Sequence, residues 1–348
     1  MANVAVLGAG YMGSAITLPL CENGHNVHLW GTWLDDELIR ASREGVHPRL
    51  KKPLHPKLQL HDSSELEHVL QDRDFIIIAV TSEGFIPVFQ RLLEALSGPL
   101  PLFTLTKGFV MLGDEVLRVS EGAGRLFKAR FGAHEMQWVS VGGPVKAVEL
   151  AGRIPTATVF GYKGNDAAPF FSAFPTPYYR VRATPDVTGV ELCSALKNVY
   201  AMGMGMCDGI HERSGVEMHH NFKAFIFNQA IREMACLIER IGGRRETVFD
   251  LAGVGDLYVT SASGRNGIFG RKVGAGGVPD EEYRLMLDAG EVAEGYHTLK
   301  LLMKYIGSVR ERVLEQLPLL SAIQGAVFGG KNPRDELLRF TEQCYGSF

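Results

Sequence analysis

Cysteine is scarce in this chain of 348 residues. Cys21, Cys193, Cys207, Cys236 and Cys344 lie far apart, and no two have C-x-x-C spacing. That excludes a disulfide framework and a zinc ribbon of local spacing, so the expectation is reduced thiols, no metal and a cytoplasmic setting. Long apolar runs are missing as well. The strongest, "FIIIAV" at 75–80, is far shorter than the about 20 residues a spanning helix needs. No charged leader precedes "NVAVLGAG", so no export signal is expected. There is no basic excess either, since 36 Lys and Arg against 39 Asp and Glu give a net charge of −3. That argues against nucleic acid and against insertion into or adsorption on a membrane, while leaving room for a local basic pocket. Repeats and low-complexity tracts are absent. What remains is ordinary globular composition, 46% hydrophobic and 22% charged, in a chain long enough for two domains.

The first half alternates strand and helix patterns. "NVAVL" at 3–7 is a β-rich run, Gly8, Gly10 and Gly13 follow as G-x-G-x-x-G, a helical pattern comes next, and "NVHLW" at 26–30 reads as the second strand. In that context the glycines point to a dinucleotide. Gly8 permits the tight turn, Gly10 lets the backbone approach a pyrophosphate, Gly13 lets helix and strand pack, and the N–H groups at the helix start face the phosphates. The strand continues into Gly31 and Thr32, where an acid often selects NAD. Asp35 and Asp36 come late and read as a helix start, and no Arg stands at the strand end, so the choice between NAD and NADP stays open. "FIIIAV" reads as a buried strand, 85–96 as a helix, 100–108 as a strand ending at Lys107, and "MQWVSVGGP" as one ending at 142–144. Lys107 and Gly143 stand beyond carboxyl ends, where ligands of such sheets bind. A solvated loop lysine is an equal reading of Lys107. "TATVFG" and "YYRVR" close the domain.

From about residue 184 the pattern becomes helical. Asp186 or Thr188 caps a helix through "GVELCSALKNVYAM". Lys197 lies within it, and its neighbours at three and four residues are Cys193, Ser194, Tyr200 and Ala201. With no carboxylate among them, the ammonium either reaches water or serves a site. Further helices are expected at 220–242, 246–252, 280–289, 296–305 and 319–328. The stretch 253–276 crowds small residues around Asp256, Thr260, Arg265 and Asn266. Arg265 before a helix start would fork onto a phosphate, or else be solvated in a turn. Asp256 is either a partner for Lys197 or a turn-former. His219 and His220 read as a surface pair, and Met202, Met204 and Met206 as core packing. The fold expected is an α/β N-terminal Rossmann-type domain over 1–185 followed by an all-α C-terminal domain over 186–348.

"VLGAGYMGSA", "TKG" at 106–108, "GGPVKAVE" at 142–149, "GVELCSALKNVYA" at 189–201, "GVGDLYVT" with "GRNGIFG" between 253 and 270, and "VAEGYHT" at 292–298 together resemble the NAD(P)-dependent glycerol-3-phosphate dehydrogenase family over nearly the whole chain. The resemblance implies interconversion of dihydroxyacetone phosphate and sn-glycerol 3-phosphate with NAD(P)H, for lipid synthesis. The implied substrate is a small phosphorylated three-carbon compound, and a homodimer is implied as possible. Residue by residue, it implies Lys197 as catalytic lysine with Asn198 beside it, and Lys107 near nicotinamide and substrate. Asp256 and Thr260 fall on substrate-site positions, with Asp256 counted among the catalytic residues. Arg265 and Asn266 fall on phosphate- and cofactor-contacting positions, and Gly143 and Ala147 on substrate and cofactor contacts. Gly8, Gly10, Tyr11, Met12, Gly13, Val292 and Glu294 fall on cofactor contacts. Departures are Val145 in place of a hydroxyl residue, Gly264 in place of Ser before Arg265, a short 256–265 segment and the Tyr11-Met12 pair.

In that reading Lys197 stabilises the developing alkoxide and donates the proton. An isolated lysine titrates near ~10.4. Burial and a second cation such as Lys107 would lower that value, and Asp256 would oppose the shift. The alternatives are a related two-domain reductase for a hydroxy or keto acid, and a non-catalytic dinucleotide sensor.

Overall fold

The computed structural model describes residues 1–164, 166–215, 219–309 and 313–346. The chain divides into two compact units, Met1–Glu191 and Leu192–Phe348.

The first unit is built on β1 (Asn3–Leu7), β2 (Asn26–Trp30), β3 (Gln59–His61), β4 (Phe75–Ile78) and β5 (Leu102–Thr104). A hairpin, β6 (Phe109–Leu112) and β7 (Glu115–Arg118), stands apart from β8 (Trp138–Gly142), β9 (Thr156–Lys163) and β10 (Tyr179–Thr184). The main sheet runs in the order β10-β9-β8-β5-β4-β1-β2-β3. It is parallel except where β8 meets β9. Its helices are α1 (Tyr11–Glu22), α2 (Asp36–Arg43), α3 (Leu66–Val69), α4 (Ser82–Ala95), α5 (Val119–Phe131) and α6 (Ala147–Ala151). Strand periodicity splits the core in two. Val4 and Val6 of β1 enter one apolar layer with α1 residues Ala15, Ile16 and Leu20. Ala5 and Leu7 enter the other with Phe85, Phe89 and Leu92 of α4. A parallel sheet covered on both faces needs apolar residues on both, which is why "NVAVL" and "FIII" lack alternation. The strand order reverses between β1 and β4, and the glycine loop lies just beyond their carboxyl ends.

Helix α7 (Val187–Arg213) carries the chain from the first unit into the second. Asp186 is its cap, with its Oδ1 accepting from the Gly189 N–H at 2.9 Å. Buried Glu191 ties this first turn down. It accepts from the Ser120 N–H at 3.0 Å, the Ser120 hydroxyl at 2.6 Å and the Ser140 hydroxyl at 2.9 Å, and it pairs with Arg118 at 3.3 Å. Burial pushes the Glu191 carboxyl up, while Arg118 opposes that push.

The second unit continues with α8 (His220–Arg240), α9 (Asp256–Ser263), α10 (Arg265–Gly274), α11 (Pro279–Asp288), α12 (Glu294–Val309), α13 (Pro318–Val327) and α14 (Pro333–Tyr345). Two features of its packing set the site. First, α7 and α10 touch backbone to backbone. A Cβ on Gly205 or Gly209 of α7 would lie 2.0 or 1.9 Å from the Gly267 or Arg271 carbonyl oxygen, and one on Gly270 or Gly274 of α10 would meet Met202 or Met206 as closely. Second, Glu233 of α8, fully buried, accepts from Tyr200 Oη at 3.0 Å and Gln229 at 3.0 Å. It also accepts from the Leu319 and Leu320 N–H groups at the start of α13, at 2.7 and 2.9 Å. Burial raises that carboxyl to about 7.

One expected helix differs. Residues 246–252 form a 3-10 turn, Arg245–Phe249, followed by a π-helical turn, Leu251–Gly255. Asp250, with extended backbone (φ −104°, ψ −163°), interrupts them. The stretch 253–276 holds helices α9 and α10, and α10 starts at Arg265, where a helix start was expected. Met202, Met204 and Met206 are all buried.

Candidate active site

In the first unit the glycine loop is built by close approach. Gly8 has φ +109°, and a Cβ there would lie 2.6 Å from the Ala79 carbonyl oxygen. A Cβ on Gly13 would lie 1.9 Å from the Gly8 carbonyl oxygen. Gly10 is the N-cap of α1 and no side chain caps it, so the first N–H groups of a 12-residue helix are left for a ligand. This cradle suits a pyrophosphate. Tyr11 is exposed and Met12 packs on the first core layer.

Asp35 does not face outward. Its Oδ2 accepts from the Ala9 N–H at 3.4 Å, the Thr32 N–H at 3.1 Å and the Thr32 hydroxyl at 2.8 Å, folding the β2–α2 turn onto the glycine loop. His47 braces the same loop through Ser14 Oγ and the Ala9 carbonyl, each at 3.0 Å. Arg49 stands beside it. A Cβ on Gly10 would lie 3.6 Å from Arg49 Nη1, and the guanidinium lies 6.0 Å from the Tyr11 ring. The sequence alone does not mark Asp35 as a clamp, nor His47 and Arg49 as part of this loop. The segment 44–58 has no helix or strand period that would have aimed them. On the other side of β1, Lys107 lies three residues beyond β5, half-buried, and Gly143 one residue beyond neighbouring β8, with φ +122°. Ala147 begins α6 and is buried. Val145 is partly buried against the first core layer.

In the second unit the lone lysine of α7 finds its partner 59 residues away. Lys197 Nζ donates to Asp256 Oδ1 at 2.5 Å and to Thr260 Oγ1 at 2.9 Å. Asp256 and Thr260 are one turn apart on α9, and the Thr260 hydroxyl lies 3.4 Å from the same carboxylate oxygen. Lys197 is 6% exposed and Asp256 2%. The carboxylate thus offsets the cost of burying the ammonium, and the amine is aimed rather than solvated.

The next residues form a second chain of bonds. Asn198 Oδ1 accepts from Asn266 Nδ2 at 2.9 Å, and Asn266 Oδ1 accepts from the Gly295 N–H at 2.8 Å. Asn198 Nδ2 donates to Glu294 Oε2 at 3.3 Å. The glycine seam brings α7 and α10 close enough for this. Arg265 opens α10 and is exposed, its Nη2 3.7 Å from Glu294 Oε1, with both side chains more than two-fifths exposed. So loose a pair can open to a phosphate. Gly264 leaves little room for a side chain, since a Cβ there would lie 2.3 Å from the Thr260 carbonyl oxygen. Val292 is half-buried just before α12. The structure thus groups Lys197, Asp256 and Thr260, and separately, through their own bonds, Asn198 of α7, Asn266 and Arg265 of α10 and Glu294 of α12. Gly8, Gly10, Gly13, Lys107, Gly143 and Ala147 belong to the first unit.

A switch-point sheet with this glycine cradle, followed by a helical unit with a buried, aimed lysine, is the plan of a two-domain dehydrogenase that uses a nicotinamide dinucleotide. Comparison with known proteins narrows this. The family model described as NAD-dependent glycerol-3-phosphate dehydrogenase N-terminus matches residues 3–168, and that described as its C-terminus matches residues 186–338. The chain is 38% identical over 300 residues, covering 85% of it and 87% of the relative, to NADP(+)-dependent glycerol-3-phosphate dehydrogenase of Archaeoglobus fulgidus. It is 30% identical over 343 residues, 96% of it and 94% of the relative, to glycerol-3-phosphate dehydrogenase [NAD(P)+] of Bacillus cytotoxicus. The same fold occurs in the crystal structure of glycerol-3-phosphate dehydrogenase from Coxiella burnetii, with a TM-score of 0.82 at 24% identity, covering 98% of this chain and 99% of that one. It occurs also in the yeast enzyme, with a TM-score of 0.80 at 23% identity and the same coverage. The chain belongs to the NAD-dependent glycerol-3-phosphate dehydrogenase family. It is an oxidoreductase acting on a CH–OH group, with NAD(P)H as its cofactor. No helix among the described residues is long and apolar enough to cross a membrane.

Proposed function

We propose that this enzyme interconverts dihydroxyacetone phosphate and sn-glycerol 3-phosphate with Lys197 as general acid and base, and that it prefers NADPH. The buried Lys197–Asp256–Thr260 cluster carries the reading. The bound nicotinamide supplies the hydride. Lys197 Nζ stabilises negative charge growing on the carbonyl oxygen and passes it a proton; in the reverse direction the neutral amine takes the alcohol proton. Asp256 and Thr260 hold the amine on target, and a fixed geometry needs no reorganisation during the step. Arg265 exchanges Glu294 for the substrate phosphate. That remote binding energy orients the carbonyl. Asn198 and Asn266 keep α7 and α10 in register for both tasks. Lys107 serves both substrate and cofactor, Gly143 the substrate, and Ala147 and Val292 the cofactor.

The preference for NADPH rests on charge at the glycine loop. Asp35, the acid nearest the end of β2, is buried, and its Oδ2 is turned back onto the Ala9 N–H and Thr32 rather than held out toward a ribose 2′-hydroxyl. Arg49 adds a cation beside Gly10. The relative from Archaeoglobus fulgidus is named as NADP(+)-dependent. The five free thiols, three of them buried, suit a reducing compartment, and we place the enzyme in the cytoplasm, feeding lipid synthesis, as a homodimer whose mass in solution is the check. The main test is reduction of dihydroxyacetone phosphate followed by cofactor absorbance, NADPH against NADH. The wild type should favour NADPH, and Arg49→Ala should raise KM for NADPH about tenfold, as for one lost charged hydrogen bond, with little change for NADH. Equal effects on both cofactors contradict the preference, and no turnover with either contradicts the function.

A further inference from the structure

We propose that Cys207, His211 and His219 form a binding site for one divalent ion of the zinc type, separate from the Lys197 cluster. Cys207 lies ten residues further along α7 than Lys197, about 15 Å at the helical rise. Cys207 and His211 are one turn apart on one face of the helix. His219, the residue before α8, completes the group. One ligand atom from each of the three lies within 4.8 Å of those of the other two.

The surroundings assign each ring a free nitrogen. His211 Nδ1 lies 2.7 Å from the Cys207 carbonyl oxygen, so it carries the proton and Nε2 keeps its lone pair. His219 Nε2 lies 2.7 Å from Asp208 Oδ1, so it carries the proton and Nδ1 keeps its lone pair. Asp208 is held in turn by Lys223 Nζ at 2.8 and 2.7 Å to its two oxygens. His219 Nδ1 is buried and has no hydrogen-bond partner among the described residues. A buried acceptor left unpaired is costly and calls for an explanation. A carboxylate or carbonyl behind each imidazole is the usual outer support of a metal-bound histidine, because it fixes the tautomer and strengthens the donor. One thiolate and two imidazoles select a zinc-like ion over magnesium or calcium, and three protein ligands leave a fourth position to water. Burial pushes the Cys207 thiol up to about 12, so the ion must displace its proton. The two rings now stack with centroids 4.5 Å apart and planes 14° apart. An ion cannot lie in both planes of such a stack, so one ring turns when the ion enters.

The test titrates cobalt(II) into the full chain after removal of metals with a chelator, using cobalt as the spectroscopic probe. The expected result is one ion per chain, with a thiolate-to-cobalt absorption band and the intense visible bands of tetrahedral cobalt, both displaced by one equivalent of zinc. Cys207→Ser should abolish the thiolate band, and His219→Gln should weaken binding by about tenfold or more, with unchanged far-ultraviolet circular dichroism. Absence of a thiolate band with equimolar cobalt overturns the proposal, as does a band that survives in folded Cys207→Ser or an undiminished cobalt affinity in folded His219→Gln. Should the variants misfold, the wild type alone decides.

Discussion

Removing the amine of Lys197 while keeping its stem separates two roles. Lys197→Met nearly conserves volume, so the cavity cost is small. The Asp256 carboxylate, 2% exposed, is left without its ammonium at 2.5 Å. Breaking one side of a buried pair costs about 3–5 kcal/mol. Turnover should fall by a factor on the order of 10² to 10⁴, the usual contribution of a general acid, with cofactor affinity near the wild-type value. The double variant Lys197→Met/Asp256→Asn removes both charges. It should recover at least half of the lost stability and none of the lost turnover, because the proton donor is still missing. All three tryptophans, Trp30, Trp33 and Trp138, lie in the first unit. Helical circular dichroism in urea is therefore the suitable probe of the second unit, and cofactor absorbance reads turnover. A Lys197→Met enzyme with kcat within about threefold of wild type, far short of a lost general acid, and an unmoved urea midpoint would refute both the buried pair and its role.

The other predictions concern packing, substrate and pH. Gly205→Ala puts a methyl 2.0 Å from the Gly267 carbonyl oxygen; urea unfolding should show a loss of about 1–3 kcal/mol or more from overpacking, with a raised substrate KM as Asn198 and Asn266 separate. Arg265→Ala should raise KM for dihydroxyacetone phosphate roughly 10- to 100-fold, the worth of a charge-assisted hydrogen bond. An unphosphorylated analogue should be little affected, and equal losses on both would remove the phosphate anchor. Glu233 has its carboxyl raised from the ordinary 4.5 to about 7. The folded chain thus holds a proton that the unfolded chain releases between those values. Its contribution is fully present below pH 4.5 and is lost as pH rises through about 7, a change on the order of 3 kcal/mol. Stability measured from pH 5 to 8 should decline by that amount in the wild type and much less in Glu233→Gln; identical slopes would contradict the assignment.

The legible parts of this chain were those written in neighbouring residues. Gly8, Gly10 and Gly13 announce their turn because strand, loop and helix are contiguous, and the apolar blocks at 3–7 and 75–78 mark a sheet covered on both faces. Lys197 announced a question only, since Asp256 reaches it from another helix. Asp35 looked like a helix starter and does stand before α2, yet its carboxylate turns back to Ala9, a contact that spacing does not encode. The pair Cys207 and His211 shares a helix face and was within reach of a four-residue count; His219 stands off that helix, just before α8, beyond the reach of such a count. The spacing of four in Gly205-x-x-x-Gly209 and Gly270-x-x-x-Gly274 was the readable signal of the α7–α10 contact. The hairpin at 109–118 was passed over because its short strands sit between two stronger patterns.

Where the main chains of α7 and α10 meet at glycine, no rotamer is available to absorb an intruding atom. Errors at this seam therefore move whole helices, and with them the amide pair that the seam holds in reach. Efforts to reshape the enzyme for another ketone should leave those four positions alone and begin at Tyr258 of α9, exposed and two residues from Asp256.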